Sequence, residues 1–244
     1  MMPIADSPAP GQEGQAADRR LLQAVMRWNV GAFAQKCFHE VASGGRYLHN
    51  WHLDAIGYHL TMVADGRCKR LIITLPPRSL KSLYASIAFP AWLLGHHPDK
   101  RIICVSYGRS LTTTNANSFR RVIKSGWYQE VFPLTRVDPR KDTEDEVRTT
   151  QGGYRLNTTV GGALTGRGGS IVIIDDPIKA SDGQSETTRK NVNDWFDETL
   201  LSRLDEIKQP GRRQKLTDNA ELARISKQLV TLKDDVPLEE SLAD

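Results

Sequence analysis

Two short stretches hold the residues best able to do chemistry. The first is Pro76-Pro77-Arg78-Ser79-Leu80-Lys81-Ser82. It sets a guanidinium, an ammonium and two hydroxyls in one loop. It follows an apolar, partly β-branched run, Leu71 to Leu75, which reads as a buried strand. The prolines have no N–H to donate, so any ladder stops there. Leu83 to Leu94 then reads as a helix. Strand, tight loop, Lys-Ser and helix is a layout that binds phosphate. Backbone N–H groups at the helix start face an anion, lysine adds charge, and the serine hydroxyl is a ligand for Mg²⁺. The usual loop has glycine at two positions, which here are Leu75 and Leu80. Glycine lets the backbone turn and approach phosphate closely. Taken alone, the stretch reads equally as a proline-capped surface loop.

The second stretch is Ser170-Ile171-Val172-Ile173-Ile174-Asp175-Asp176-Pro177. A continuous β-branched run is what a parallel strand buried on both faces requires. Ligands of open α/β sheets bind at the carboxyl ends of strands, where Asp175 and Asp176 fall. In a phosphate-loop NTPase, the first carboxylate holds the Mg²⁺ shell and the next positions the attacking water. The competing reading is a turn opened by Asp before Pro177. Both stretches in one chain, in this order, favour nucleotide binding.

The elements that must position these residues can be followed along the chain. Residues 1–18 are rich in Pro, Gly, Ala and Gln and read as a flexible tail. Helical spacing runs from Arg19 to about Ala42, and again from Tyr47 to Ala64. The second of these carries Trp51, Leu53, Ile56, Leu60 and Val63 as its apolar set. Pro90 falls inside the helix after the loop and is expected to kink or end it. Arg101 to Ser106 reads as an interior strand, and Ser110 to about Lys124 as a helix. Alternating strands and helices with short connections indicate a parallel sheet with right-handed crossovers. Residues 127–145 read as an irregular connection. Residues 146–160 alternate around Gly152-Gly153 as a β-hairpin. Residues 161–169 are glycine-dense, with Arg167 alone among small residues. An arginine on such a loop near an NTP can stabilise charge on the γ-phosphate. It can equally contact DNA phosphate or merely cover the loop. A helix is expected from Arg189 to Leu204, capped by Ser185 or Thr187.

Several pieces together resemble the large terminase subunit of tailed bacteriophages and prophages, in its N-terminal ATPase part. They are Trp51-His52-Leu53, Arg70 to Ser82, Pro90-Ala91-Trp92, Ser106-Tyr107, Trp127-Tyr128, Gly161 to Pro177 and Asp194-Trp195-Phe196. The resemblance runs from about Phe33 to Asp205. It implies an α/β fold of the P-loop NTPase kind, RecA/ASCE-like. That is a three-layer sandwich with a mainly parallel central sheet, plus a β-hairpin and terminal helices. The domains expected are a tail at 1–18, the ATPase domain at 19–205, and a C-terminal tail at 206–244 with one amphipathic helix at 218–232.

The resemblance implies ATP and Mg²⁺ as cofactors. Pro77, Arg78, Ser79, Leu80, Lys81 and Ser82 would hold the phosphates, and Trp51 or His52 would line the base pocket. Ser82 and Asp175 would hold the metal. Asp176 would orient water, and Arg167 would act as a finger on a neighbouring subunit. The Pro-Pro-Arg-Ser-Leu-Lys-Ser form is similar to this family's own variant of the loop. Asp176 departs from it, since a longer Glu is usual there. Trp51 as plain core is the competing reading. The implied function is an ATPase motor subunit that drives packaging of double-stranded viral DNA into the procapsid. Its partners would be the portal protein, the small terminase subunit and identical subunits in a ring. The family's nuclease domain is expected to be absent. The alternatives are a non-catalytic remnant that binds nucleotide, DNA or partner subunits without turnover, and, ranked lowest, a P-loop kinase or helicase.

Composition sets the remaining bounds. The chain has 244 residues, of which 39% are hydrophobic and 25% charged, as in a globular protein. No apolar run is long enough for a bilayer, and no signal peptide is legible, so a cytoplasmic, non-membrane setting in the bacterial host is expected. Cys37, Cys68 and Cys104 have no paired spacing and read as reduced thiols, the last two buried. His39, His49, His52 and His59 lack the partners of a metal set. A net charge of +4 permits DNA contact without indicating it. Arg109, Arg120, Arg121 and Lys124 form one basic side of a helix, a face that is usually just solvated.

Overall fold

The computed structural model describes residues 12–42, 44–162, 164 and 168–197. Two compact units divide at Gln184/Ser185, inside the 19–205 segment expected to be one domain. Each is taken by itself.

The first unit is α/β, with a five-stranded open mixed sheet and helices. One interior strand is β1, Arg101–Ser106, buried from Ile102 onward as its apolar sequence requires. β1 pairs in parallel with β4 (Tyr154–Thr159) on one side and β5 (Ile171–Ile174) on the other. β3 (Glu146–Thr149) pairs antiparallel with β4, giving the hairpin expected around Gly152-Gly153. Gly152 has φ +88°, a conformation that glycine adopts without strain.

Beyond β3 lies β2 (Val137–Asp142), also antiparallel, so the order is β2-β3-β4-β1-β5. The sheet is therefore mixed, with its parallel part confined to β4, β1 and β5. Residues 127–145 are more regular than expected. They contain most of a short helix, Gly126–Val131, as well as β2. β2 carries Pro139, Arg140 and Lys141, which suit a strand that pairs on one side only.

Two strand expectations fail. Leu71–Leu75 is extended but is not a strand of the sheet. Leu71, Ile73 and Leu75 are half-buried against the core, while Ile72 is 50% exposed. An apolar β-branched run fits any extended, half-buried path, and ladder bonds depend on what lies beside it. β5 was expected to be interior and is instead an edge among the described strands. Val172 and Ile174 are exposed on alternate positions, at 41% and 37%. Periodicity alone does not distinguish a central run from an edge run of equal apolarity.

The helical segment 19–42 is two helices, α1 (Gln12–Trp28) and α2 (Val30–Val41). Asn29 breaks it by capping: its Oδ1 accepts from the Ala32 N–H at 2.8 Å. α1 begins within the stretch expected to be a tail. α2 buries Val30, Phe33, Ala34 and Cys37, and Phe33 meets the Phe132 ring edge-on at 5.8 Å. α3, Trp51–Ala64, is capped by Asn50 and buries Leu53, Ile56 and Leu60.

The helix after the loop opens with a π-helical segment, Leu83–Ala88, and continues as α4, Phe89–His96. Pro90 accounts for the irregularity. It has no N–H for the Ser86 carbonyl four residues earlier, and its ring crowds that carbonyl. The Phe89 N–H reaches back five residues to the Tyr84 carbonyl, a wide turn of the π type. The helix thus continues through Pro90. α5, Arg109–Lys124, follows β1 and buries Phe119, Val122 and Ile123. Cys37 and Cys104 are buried, whereas Cys68 is only half-buried, its Sγ donating to the Arg70 carbonyl at 3.1 Å.

In the second unit, Ser185 caps α6, numbering Glu186–Trp195 as the helix that follows the 3-10 turn at Ala180–Asp182. The Ser185 hydroxyl accepts from the Thr188 N–H at 3.3 Å. Thr199, Leu200 and the segment 206–244 lie outside the described residues.

Candidate functional site

The acidic pair leaves β5 still stitched to β1. The Asp175 N–H donates to the Val105 carbonyl at 2.9 Å, and the Tyr107 N–H to the Asp176 carbonyl at 3.0 Å. These bonds hold both carboxylates at the carboxyl end of the parallel strands, where α/β sheets bind ligands. Asp175 is buried, while Asp176 projects outward.

The loop comes to the same place. Pro76, Pro77 and Arg78 are exposed, and Ser79 to Ser82 are half-buried. Arg78 and Leu80 have φ of +66° and +62°. Leu80 stands where the usual loop has glycine and adopts the left-handed conformation itself, at a cost of about 1–2 kcal/mol. Asp176, at φ +46°, is the remaining non-glycine residue with positive φ among the described residues. Backbone strain of this kind persists where surrounding structure enforces it, typically at ligand sites. The Leu80 carbonyl accepts from the Tyr84 N–H at 3.0 Å and opens the helix, so Lys81 and Ser82 sit in its first turn. The Ser79 Oγ is buried with no hydrogen-bond partner among the described residues.

Lys81 joins the two stretches. Its Nζ donates to Asp176 Oδ1 at 2.5 Å and lies 3.9 Å from Asp175 Oδ1. Three of the expected residues, Lys81, Asp175 and Asp176, thus converge. Ser82 makes no side-chain cap bond. The hydroxyl that meets the buried carboxylate is that of Ser86, donating to Asp175 Oδ2 at 2.9 Å.

Sequence reasoning missed Ser86 and Arg155. Ser86 is the lone hydroxyl-bearing residue between two apolar neighbours, one turn after Ser82. Arg155 sits on β4 and is 1% exposed. Its Nη2 donates to the Ser86 carbonyl at 2.9 Å, its Nη1 donates to Asn157 Oδ1, and its guanidinium lies 4.8 Å from the Phe119 ring centroid. Burial pulls the guanidinium pKa below its ordinary value, opposed by Cys104 and Asp175. The available signal was an arginine in an alternating strand whose register faces a helix. Its burial depended on a pairing that the sequence does not display.

Trp51 is 76% exposed in the first turn of α3, which rules out its reading as core. His52 is half-buried, with its ring 6.3 Å from that of Trp51. α3 packs against α2 and the π-helical segment. Arg167 lies outside the described residues.

The basic side of α5 is largely neutralised from within. Arg120 Nε donates to Asp142 Oδ1 at 2.8 Å, Lys124 pairs with Asp142, and Arg109 lies 3.5 Å from both Glu144 and Asp145. Burial alone would raise the Asp142 pKa, but hydrogen bonds from Lys124 and Arg120 hold it below the ordinary value.

The donor set suits a phosphate-bound magnesium better than a protein-only metal cage. No group of three or more His, Cys, Asp or Glu is placed to hold a metal among the described residues. Mg²⁺ characteristically takes one or two carboxylates and completes its shell with substrate phosphates and water. Asp175, with Oδ1 turned toward Lys81, meets that requirement. No protein-family model and no curated protein matches the chain. No described helix is long and apolar enough to cross a membrane.

Proposed function

We propose that this chain is a P-loop ATPase of the terminase large-subunit kind, the motor part of viral DNA packaging. One observation carries the reading. Lys81 meets Asp175 and Asp176 at the carboxyl end of the parallel strands of a mixed sheet, on a loop where Leu80 takes the backbone conformation of the missing glycine. In this reading the fold is the RecA/ASCE-like sandwich. Lys81 and Arg78 bind the β- and γ-phosphates, and the Ser79 hydroxyl and backbone N–H groups of Leu80 to Ser82 complete the cradle. Asp175 and Ser82 hold Mg²⁺, which when bound neutralises charge across the β- and γ-phosphates. Asp176 exchanges its contact with Lys81 for a water and orients it. Its short side chain makes that alignment looser than Glu would. Trp51, exposed at the start of α3, offers a face for the base. Arg167 supplies charge stabilisation to a neighbour in a homo-oligomeric ring. Double-stranded viral DNA, the portal protein and the small terminase subunit are the partners that follow, in the host cytoplasm.

A second reading, a non-catalytic remnant that binds nucleotide, DNA or partner subunits without turnover, is favoured by the outer side of β5, which no described strand pairs, and by Leu71–Leu75 lying outside the ladder. The ATPase reading requires Mg-ATP binding. Thermal unfolding with and without Mg-ATP tests it: at a hundred times its Kd, a ligand of the folded state stabilises by about 2.7 kcal/mol. The expected result is a rise in Tm for the wild type and none for Lys81→Ala. An unchanged Tm at millimolar Mg-ATP in the wild type would end the proposal.

A further inference from the structure

We infer that Ser86 and Arg155 are positioning residues for Asp175, fixing its carboxylate so that Oδ1 faces the phosphate loop. The inference rests on the nucleotide reading of the site and goes beyond it to residues outside the loop and the acidic pair.

The geometry runs outward from Asp175. This carboxylate is 4% exposed, and its two oxygens are differentiated. Oδ2 accepts from the Ser86 hydroxyl at 2.9 Å, while Oδ1 lies 3.9 Å from Lys81 Nζ. With Oδ2 engaged by Ser86, Oδ1 is the oxygen turned toward the loop. Ser86 must therefore be held still. A serine within a helix ordinarily has its carbonyl fixed by the N–H four residues on. Here that residue is Pro90, which has none. Arg155 donates to this carbonyl from across the sheet, with Nη2 at 2.9 Å. The guanidinium is in turn fixed by Asn157 and by the Phe119 ring at 4.8 Å.

Arg155 also brings a buried positive charge into the neighbourhood of a buried negative one. The chain Phe119–Arg155–Ser86–Asp175 crosses from α5 and β4, through the helix after the loop, to the end of β5. It ties the orientation of the acidic residue to the helix that presents Lys81. Residues that orient a metal ligand in this way typically matter ten- to a hundredfold, roughly, in metal affinity.

The test is a magnesium titration at fixed fluorescent ATP analogue, comparing wild type, Ser86→Ala and Ser86→Cys. Affinity for the analogue without magnesium is measured alongside, as is thermal unfolding. Ser86→Ala removes one oxygen and adds no volume. Ser86→Cys keeps a weaker donor at similar size. The expected result is an apparent magnesium affinity about tenfold weaker in Ser86→Ala and intermediate in Ser86→Cys. Magnesium-free binding should stay within about twofold, because the phosphate loop itself is untouched. A purely structural role would lower both affinities together. Wild-type binding with equal magnesium affinities in the variants would overturn the positioning role while leaving the ATPase reading intact. No binding of the analogue by folded wild type would remove both. Should Ser86→Ala prove unstable, Ser86→Cys decides the question by itself: magnesium affinity equal to wild type overturns the role.

Discussion

The contact between Arg155 and the Ser86 carbonyl should be measurable as a dependence of Arg155 on Pro90. Arg155→Met removes the donor at 2.9 Å from the Ser86 carbonyl and the bond to Asn157, in a segment where Ser86 is 1% exposed. An orphaned buried acceptor costs about 1–3 kcal/mol. Asp175 would also lose its compensating buried charge. Recovery of the guanidinium's own desolvation cost offsets part of this loss. The net expectation is a destabilisation of about 3 kcal/mol, within the range for a broken buried polar network. Pro90→Ala restores an N–H four residues after Ser86, and that N–H can take the same carbonyl. Arg155→Met in the Pro90→Ala background should therefore cost about 1 kcal/mol less than in the wild type, the net value of one hydrogen bond. Urea unfolding followed by circular dichroism on the four proteins gives the coupling from a double-mutant cycle. Additivity within about 0.3–0.5 kcal/mol would refute the proposition that Pro90 frees the carbonyl for Arg155. So would an Arg155→Met variant as stable as the wild type.

Other consequences are simpler to check. Asp142→Ala should destabilise by about 1 kcal/mol, since its pair with Arg120 is only partly shielded from solvent. The Asp142 pKa is lowered in the fold, so its contribution is intact above the ordinary carboxylate value near 3.9 and fades as pH falls through its lower folded value. Acid unfolding of the wild type and Asp142→Ala should therefore converge at low pH.

His96 also weakens the fold on acidification, at a higher pH. Burial lowers its pKa, opposed by its bond to the Arg27 carbonyl at 2.7 Å. The unfolded chain binds the proton more readily, so stability should fall as pH drops below about 6.5, and a His96→Gln variant should lose that slope in equilibrium unfolding. At Gly153, a Cβ would stand 2.3 Å from the Pro98 carbonyl oxygen and 2.6 Å from that of Lys100. Gly153→Ala should accordingly cost about 2 kcal/mol or more, read as a lowered urea midpoint.

Much of the site was legible because its residues are local in sequence. A lysine after a proline-rich loop and two aspartates after an apolar run carry their chemistry in their own neighbourhood, and the fold brings them within 2.5 to 3.9 Å. The hairpin at Gly152-Gly153 and the interior strand Arg101–Ser106 were legible for the same reason. What depended on distant partners was not. β5 reads as interior from its composition, yet no described strand pairs with its outer side. Leu71–Leu75 has strand composition but no place in the ladder. Asn29 divides one helical pattern into two because its side chain caps, a choice that apolar periodicity does not register. Ser86 and Arg155 gain their roles from a meeting across 69 positions of sequence. Arg120 and Lys124 looked like a basic face until β2 brought Asp142 to them.

The most direct measurement is calorimetric titration of Mg-ATP into the purified chain, with Lys81→Ala as control. The site requires saturable binding by the wild type and a loss of at least about tenfold in Lys81→Ala, as expected when a charged phosphate contact is removed. A folded wild type that takes up no Mg-ATP, or a Lys81→Ala variant that binds as tightly, would contradict the assignment of the phosphate loop.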